Sequence, residues 1–116
     1  MTSDELTPAQ IKEDLRAEIC RVHEDSYGTG ATQVQVLLEE DLIVMVLDIE
    51  LTRAEQTLVD AGRQDAVKTT REEFQKAIGP TFNAIVERAT GRRVTSFLSA
   101  MSVDPLYSVE LFRLSS

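Results

Sequence analysis

Apolar positions along this chain follow two rhythms, one helical and one of strands. Ile11, Leu15, Ile19 and Val22 recur at intervals of three or four, which puts them on one face of a helix whose other face is charged. Thr7 stands as its N-cap, Pro8 at the first helical position and Gln10 where it completes a capping box, with Leu6 and Ile11 as the matching hydrophobic staple. Gly28 marks the stop. Residues 32–38, TQVQVLL, then alternate: Val34, Val36 and Leu38 face one way, Gln33 and Gln35 the other. Glu39-Glu40-Asp41 makes a tight acidic turn, and LIVMVL, residues 42–47, returns antiparallel.

LIVMVL is too short to cross a bilayer, which takes about 20 apolar residues as a helix. It is short, β-branched and closely flanked by Glu39, Glu40, Asp41, Asp48 and Glu50, so it reads as a strand buried on both faces. A second capping box follows, with Thr52 as N-cap and Glu55 as its partner. Gly62 separates that short helix from a longer one over 63–90, in which Val67, Phe74, Ile78, Phe82, Ile85 and Ala89 form the apolar stripe. Pro80 lacks a backbone donor and crowds the carbonyl of Lys76, which predicts a kink. Gly91 ends the helix, and strands over 93–103 and 106–114 follow, hinged at Asp104-Pro105.

The predicted order is α-β-β-α-β-β in a single domain, residues 1–116. Moving the last strand to the front gives β-α-β-β-α-β. The expected fold is therefore α+β, a circularly permuted ferredoxin-like sandwich: a single-layer, four-stranded mixed sheet with its helices on one face. LIVMVL and the last strand are then the two central strands. The helix-free face is expected to carry Leu37, Leu42, Val44, Val46, Phe112 and Leu114, more contiguous apolar surface than a soluble monomer exposes. A homodimer follows, its sheets packed face to face or joined at an edge, with Leu37, Val44, Val46, Phe112 and Leu114 in the interface.

Composition narrows the function classes. With 42% hydrophobic and 28% charged residues the chain is ordinary globular protein, so a folded domain is expected throughout. The net charge of −8 is concentrated in residues 1–50, which hold twelve acidic and three basic residues, the reverse of a nucleic-acid-binding surface. MTSDELTPAQ has neither the basic nor the apolar region of a signal peptide. The lone Cys20 fits a reducing compartment. The expectation is a soluble cytoplasmic protein with no nucleic-acid partner and no membrane insertion.

Candidate chemistry is sparse. Cys20 and His23, three residues apart, share a helix face but supply only two of the four ligands of a structural zinc, so they read as a small core residue and a solvated side chain. Gly28-Thr29-Gly30 begins like a phosphate loop, but it leads from helix into strand and has Gln33 where a third glycine is needed. Asp48 and Glu50 lie on one strand face and Glu110 on the neighbouring central strand, a set able to divide acid and base roles or to pair with Arg113, Arg92 or Arg93. Arg92-Arg93 also complements the negative end of the long helix. No nucleophile or oxyanion site accompanies these groups, so no catalytic residue, metal or cofactor is expected.

The segments "VQVLLEEDLIVMVLDIELTRAEQTLV" and "REEFQKAIGPTFNAIVERATGRRVTSFLSAMSVDPLYSVELFRL" resemble the bacterial Na+-translocating membrane potential-generating system MpsC family, over roughly residues 8–114. The most specific pieces are "LTRAEQTL", "ATGRRV" and "FLSAMSVDP" followed by "VELF". The resemblance implies a link to membrane transport of sodium and inorganic carbon. With no spanning segment, the chain's implied part is that of a soluble accessory or regulator beside a membrane complex. Departures from the family pattern fall at Ala100, Ser102 and Leu106, where members are richer in Asp and carry a His, and at Thr29 and Ala31, where a basic residue and a Pro are common; Asp104 and Pro105 are kept.

Three readings follow. The first is a non-enzymatic homodimeric accessory protein acting through protein contacts. The second is a small-ligand or anion sensor using Arg92, Arg93 and Asp104. The third is a hydrolase built on Asp48, Glu50 and Glu110.

Overall fold

The computed structural model describes residues 7–28 and 31–116. The capping box at the head of α1 (Pro8–Tyr27) is formed: the Gln10 amide donates to Thr7 Oγ1 at 3.2 Å, and the Thr7 amide donates to Gln10 Oε1 at 2.8 Å. Leu6, the other half of the predicted staple, lies outside the described residues, as do Thr29 and Gly30 of the loop. At the far end Gly28 takes φ 73°, and its amide donates to the Glu24 carbonyl, the left-handed closure that glycine adopts without steric cost.

Strands β1 (Ala31–Glu39) and β2 (Leu42–Ile49) form a hairpin through a two-residue turn, with Glu40 at φ 43°. α2 (Arg53–Asp60) begins at the second capping box, Thr52 with Glu55. α3 (Gln64–Thr90) is helical throughout its 27 residues with Pro80 inside it, and Gly91 ends it. β3 (Val94–Val103) and β4 (Leu106–Leu114) form the second hairpin around Asp104-Pro105.

The sheet order is β1-β2-β4-β3, so LIVMVL and the C-terminal strand are central, as the sequence predicts. Every neighbouring pair is antiparallel, however, and the expected mixed sheet is corrected on this point. The reason is the connection. A helical crossover leaves β2 and β3 pointing the same way, but β4 folds back from β3 and inserts between them, so no two parallel strands touch.

One side of the sheet packs on the helices. Leu15 and Ile19 of α1 and Phe82, Ile85 and Val86 of α3 meet Val34, Val36, Ile43, Met45, Leu47, Phe112 and Leu114, all buried. Phe97 joins at the edge of this core, its ring centroid 5.0 Å from that of Phe112 and 6.2 Å from that of Phe82. LIVMVL is thus buried on one face only. Ile43, Met45 and Leu47 are inside, while Leu42, Val44 and Val46 are half-buried on the helix-free side, correcting the expectation of burial on both faces.

Candidate functional site

Two features stand out from this frame, one on each face of the sheet. On the helix-free face, Leu37, Leu42, Val44, Val46, Val109, Leu111 and Leu98 form a continuous apolar band across all four strands. Leu37 is 53% exposed and Leu98 63%, so the ends of this band are open to solvent. Phe112 and Leu114, predicted to belong to it, do not. The β2–β4 register pairs Ile43 with Phe112, which turns Phe112 and Leu114 toward the helices, where they are 0% and 4% exposed. Val109 and Leu111 take their place, since side chains alternate along a strand.

Beneath α3 lies a buried polar cluster that the sequence reading does not anticipate. Arg71, 3% exposed, donates from Nε to Glu55 Oε2 at 2.6 Å and from Nη2 to Glu55 Oε1 at 2.8 Å, a bidentate pair joining α3 to α2. Its Nη2 also donates to the Glu50 carbonyl at 3.3 Å, and Nη1 lies 3.4 Å from His23 Nε2 on α1. The guanidinium sits 4.1 Å from the centre of the Tyr27 ring, a cation–π contact. One side chain thus ties together α1, α2, α3 and the end of β2. Burial pushes the Glu55 carboxyl up, but the hydrogen bonds from Arg71 and from Thr52 outweigh it and hold Glu55 below the usual carboxylate range. His23, expected to be solvated, is buried in this cluster.

Next to it, Gln75 donates from Nε2 to the Tyr27 hydroxyl at 3.0 Å, while its Oε1 is buried without a hydrogen-bond partner. Gln75, Ser99 and Ser108 line a cavity of about 10 Å³, the size of one water. Glu110 is fully buried, and neither of its carboxylate oxygens has a formed hydrogen bond. Burial raises its pKa to about 8, against the opposing effect of the Ser99 hydroxyl, which lies across from it in the β3–β4 register. Glu110 is therefore held as the neutral acid between about pH 4.5 and 8, where an ordinary carboxyl is already ionised. Burial likewise raises the Tyr27 phenol, against Arg71 and Gln75.

The three carboxylates considered for acid–base work are not brought together. Asp48 is exposed and in register with Gln33 on the helix-free face, Glu50 follows the end of β2, and Glu110 points to the opposite side, under the helices. Arg92, Arg93 and Asp104 are separated as well. The arginines precede β3 and Asp104 follows it, about 30 Å apart along a ten-residue strand. Arg92 is engaged, donating from Nε to the Ser115 carbonyl at 2.7 Å and from Nη1 to the Glu40 carbonyl at 2.6 Å. Arg93 and Asp104 are exposed.

Among the described residues no helix is long and apolar enough to cross a membrane, and no group of three or more His, Cys, Asp or Glu is placed to hold a metal ion. No curated protein and no solved structure matches the chain. The family assignment rests on a match that runs from the Thr7 cap through β4, covering both the apolar band and the polar cluster. Over residues 7–116 the chain belongs to the MpsC family, described as a Na+-translocating membrane potential-generating system.

Proposed function

We propose that this chain is a non-enzymatic accessory or regulatory protein of a Na+-linked membrane-potential system, working in the cytoplasm as a homodimer and through protein contacts. The observation that carries this reading is the apolar band of Leu37, Val44, Val46, Val109, Leu111 and Leu98 on a sheet face that no helix among the described residues covers. A contact surface of this kind suits docking to another protein, and the separated carboxylates give catalysis little support. The α-β-β-α-α-β-β path, in which the short α2 and the long α3 together make the second crossover, and the strand order β1-β2-β4-β3 support reading the fold as a ferredoxin-like sandwich with β4 moved from front to back.

Light scattering at micromolar concentration tests the dimer: a species of twice the chain's mass is expected, and a clean monomer overturns it. Docking through the band is tested by co-sedimentation with native membranes. The wild-type chain is expected in the pellet and a Val46→Lys/Val109→Lys variant in the supernatant. Equal partition of the two sinks the contact reading.

A further inference from the structure

The two edges of the sheet are unequally guarded. On β1, Arg16 of α1 donates from Nε to the Val34 carbonyl at 2.9 Å and so lays a charged side chain against that strand. The other edge is β3, and its ten residues, VTSFLSAMSV, contain no charge and no proline. Its pairing with β4 is regular from Ser96 to Val103, so beyond the irregularity at Thr95 no bulge twists it away. Leu98, in the middle, is 63% exposed. Folded proteins normally blunt such an edge with lysine, proline or a covering element, because its unpaired amides and carbonyls are a template for another strand.

The residues of this edge also complement one another about Ser99. Reading outward, Leu98 faces Ala100, Phe97 faces Met101 and Ser96 faces Ser102. Laid antiparallel on its own copy with Ser99 at the two-fold axis, β3 sets the protruding Leu98 beside the small Ala100. It also sets the Phe97 ring beside the Met101 thioether, a favourable sulfur–aromatic pair. Serine meets serine at positions 96 and 102. The charges at the strand's ends match too. In the same register Arg93 of one copy falls beside Pro105 and Asp104 of the other, and the arrangement occurs twice by symmetry.

We infer that β3 is a self-pairing edge, through which two copies of this chain join antiparallel about Ser99 into one continuous eight-stranded sheet, with Arg93 of each meeting Asp104 of the other. The inference rests on the proposal above that two copies associate, and assigns that contact to the edge. It leaves the two helix-free apolar faces side by side on one surface, doubling the area offered to a partner. Because the pairing uses β3 on both sides and β1 is guarded, association closes at two.

The test uses the full chain with Cys20→Ser, so that an introduced cysteine is the sole thiol. Across an antiparallel pair the Cα atoms stand about 4.5–5.5 Å apart, within disulfide reach. Mild oxidation is expected to cross-link a Ser99→Cys variant into a dimer and to leave a Leu37→Cys variant, on the open face, uncross-linked. Asp104→Arg is expected to weaken the dimer about tenfold by setting two pairs of like charges together, and adding Arg93→Asp is expected to restore it. A dimer that cross-links in the Leu37→Cys variant and not in the Ser99→Cys variant, or that ignores both charge changes, overturns the edge assignment while keeping the dimer. A monomer under all conditions overturns both.

Discussion

A neutral carboxyl buried in the core makes a measurable demand on pH. Glu110 has an ordinary pKa of 4.5, and in the folded chain burial raises it to about 8. Between these values the folded state holds a proton that the unfolded state has lost, so stability falls as pH rises. The stabilising difference is fully present below about pH 4.5 and is gone by about pH 8. At about 1.4 kcal/mol per unit, the window of about 3.5 units amounts to on the order of 5 kcal/mol. Glu110→Gln removes the titrating group while keeping its size. It adds one buried donor, a cost that does not change with pH. The neighbouring Tyr27, His23, Arg71 and Glu55 remain in both proteins, so the difference between the two curves isolates Glu110. Urea unfolding at half-unit steps from pH 4.5 to 8.5 is the assay. The stability of the variant relative to wild type is expected to climb by on the order of 5 kcal/mol across the window. Parallel curves, with a constant offset at every pH, would refute the argument that Glu110 is buried without a partner for its charge.

Other parts of the fold offer further tests. Arg71→Met leaves the Glu55 carboxylate enclosed without its cation and is expected to cost about 3–5 kcal/mol, measured by urea unfolding; adding Glu55→Gln should recover most of the loss. Thr52→Ala removes the cap of α2 and is expected to cost about 1 kcal/mol, roughly 4 °C in a thermal melt. Gly79→Ala would gain about 1 kcal/mol from helix propensity alone, but the new Cβ meets the Phe97 ring at 3.3 Å, and Phe82 and Phe112 hold that ring in place. A loss of stability is therefore expected, turning to a gain in a Phe97→Leu background.

The features legible in the sequence are the local ones. Both capping boxes, the Gly28 and Gly91 stops and the hairpin turns depend on residues within four positions of each other, and the structure forms them as read. The facing of β4 depends on its register against β2, which no short turn fixes. A shift of one residue sends Phe112 and Leu114 to the wrong side, and that shift separates the expected face from the observed one. The polar cluster is hidden for a related reason. Arg71 and Gln75 sit four and eight residues after Val67, in line with the buried stripe, but a charged residue there reads as surface. The signal that could have found them is that in-phase position, together with Glu110 alternating with Phe112 and Leu114. Neither shows which residue answers the charge until the helices are placed.

The β2–β4 pairing brings together residues 61 to 71 positions apart, from Leu47 with Ser108 to Leu42 with Arg113. Each hairpin beside it closes through a turn of two residues. The chain is thus an αββ half and an ααββ half zipped along one seam, and long-range zipping is the slow part of folding. Amides along that seam should be the last to exchange with solvent. Both flanking hairpins close within their own halves, so this seam is the contact whose opening parts one half from the other.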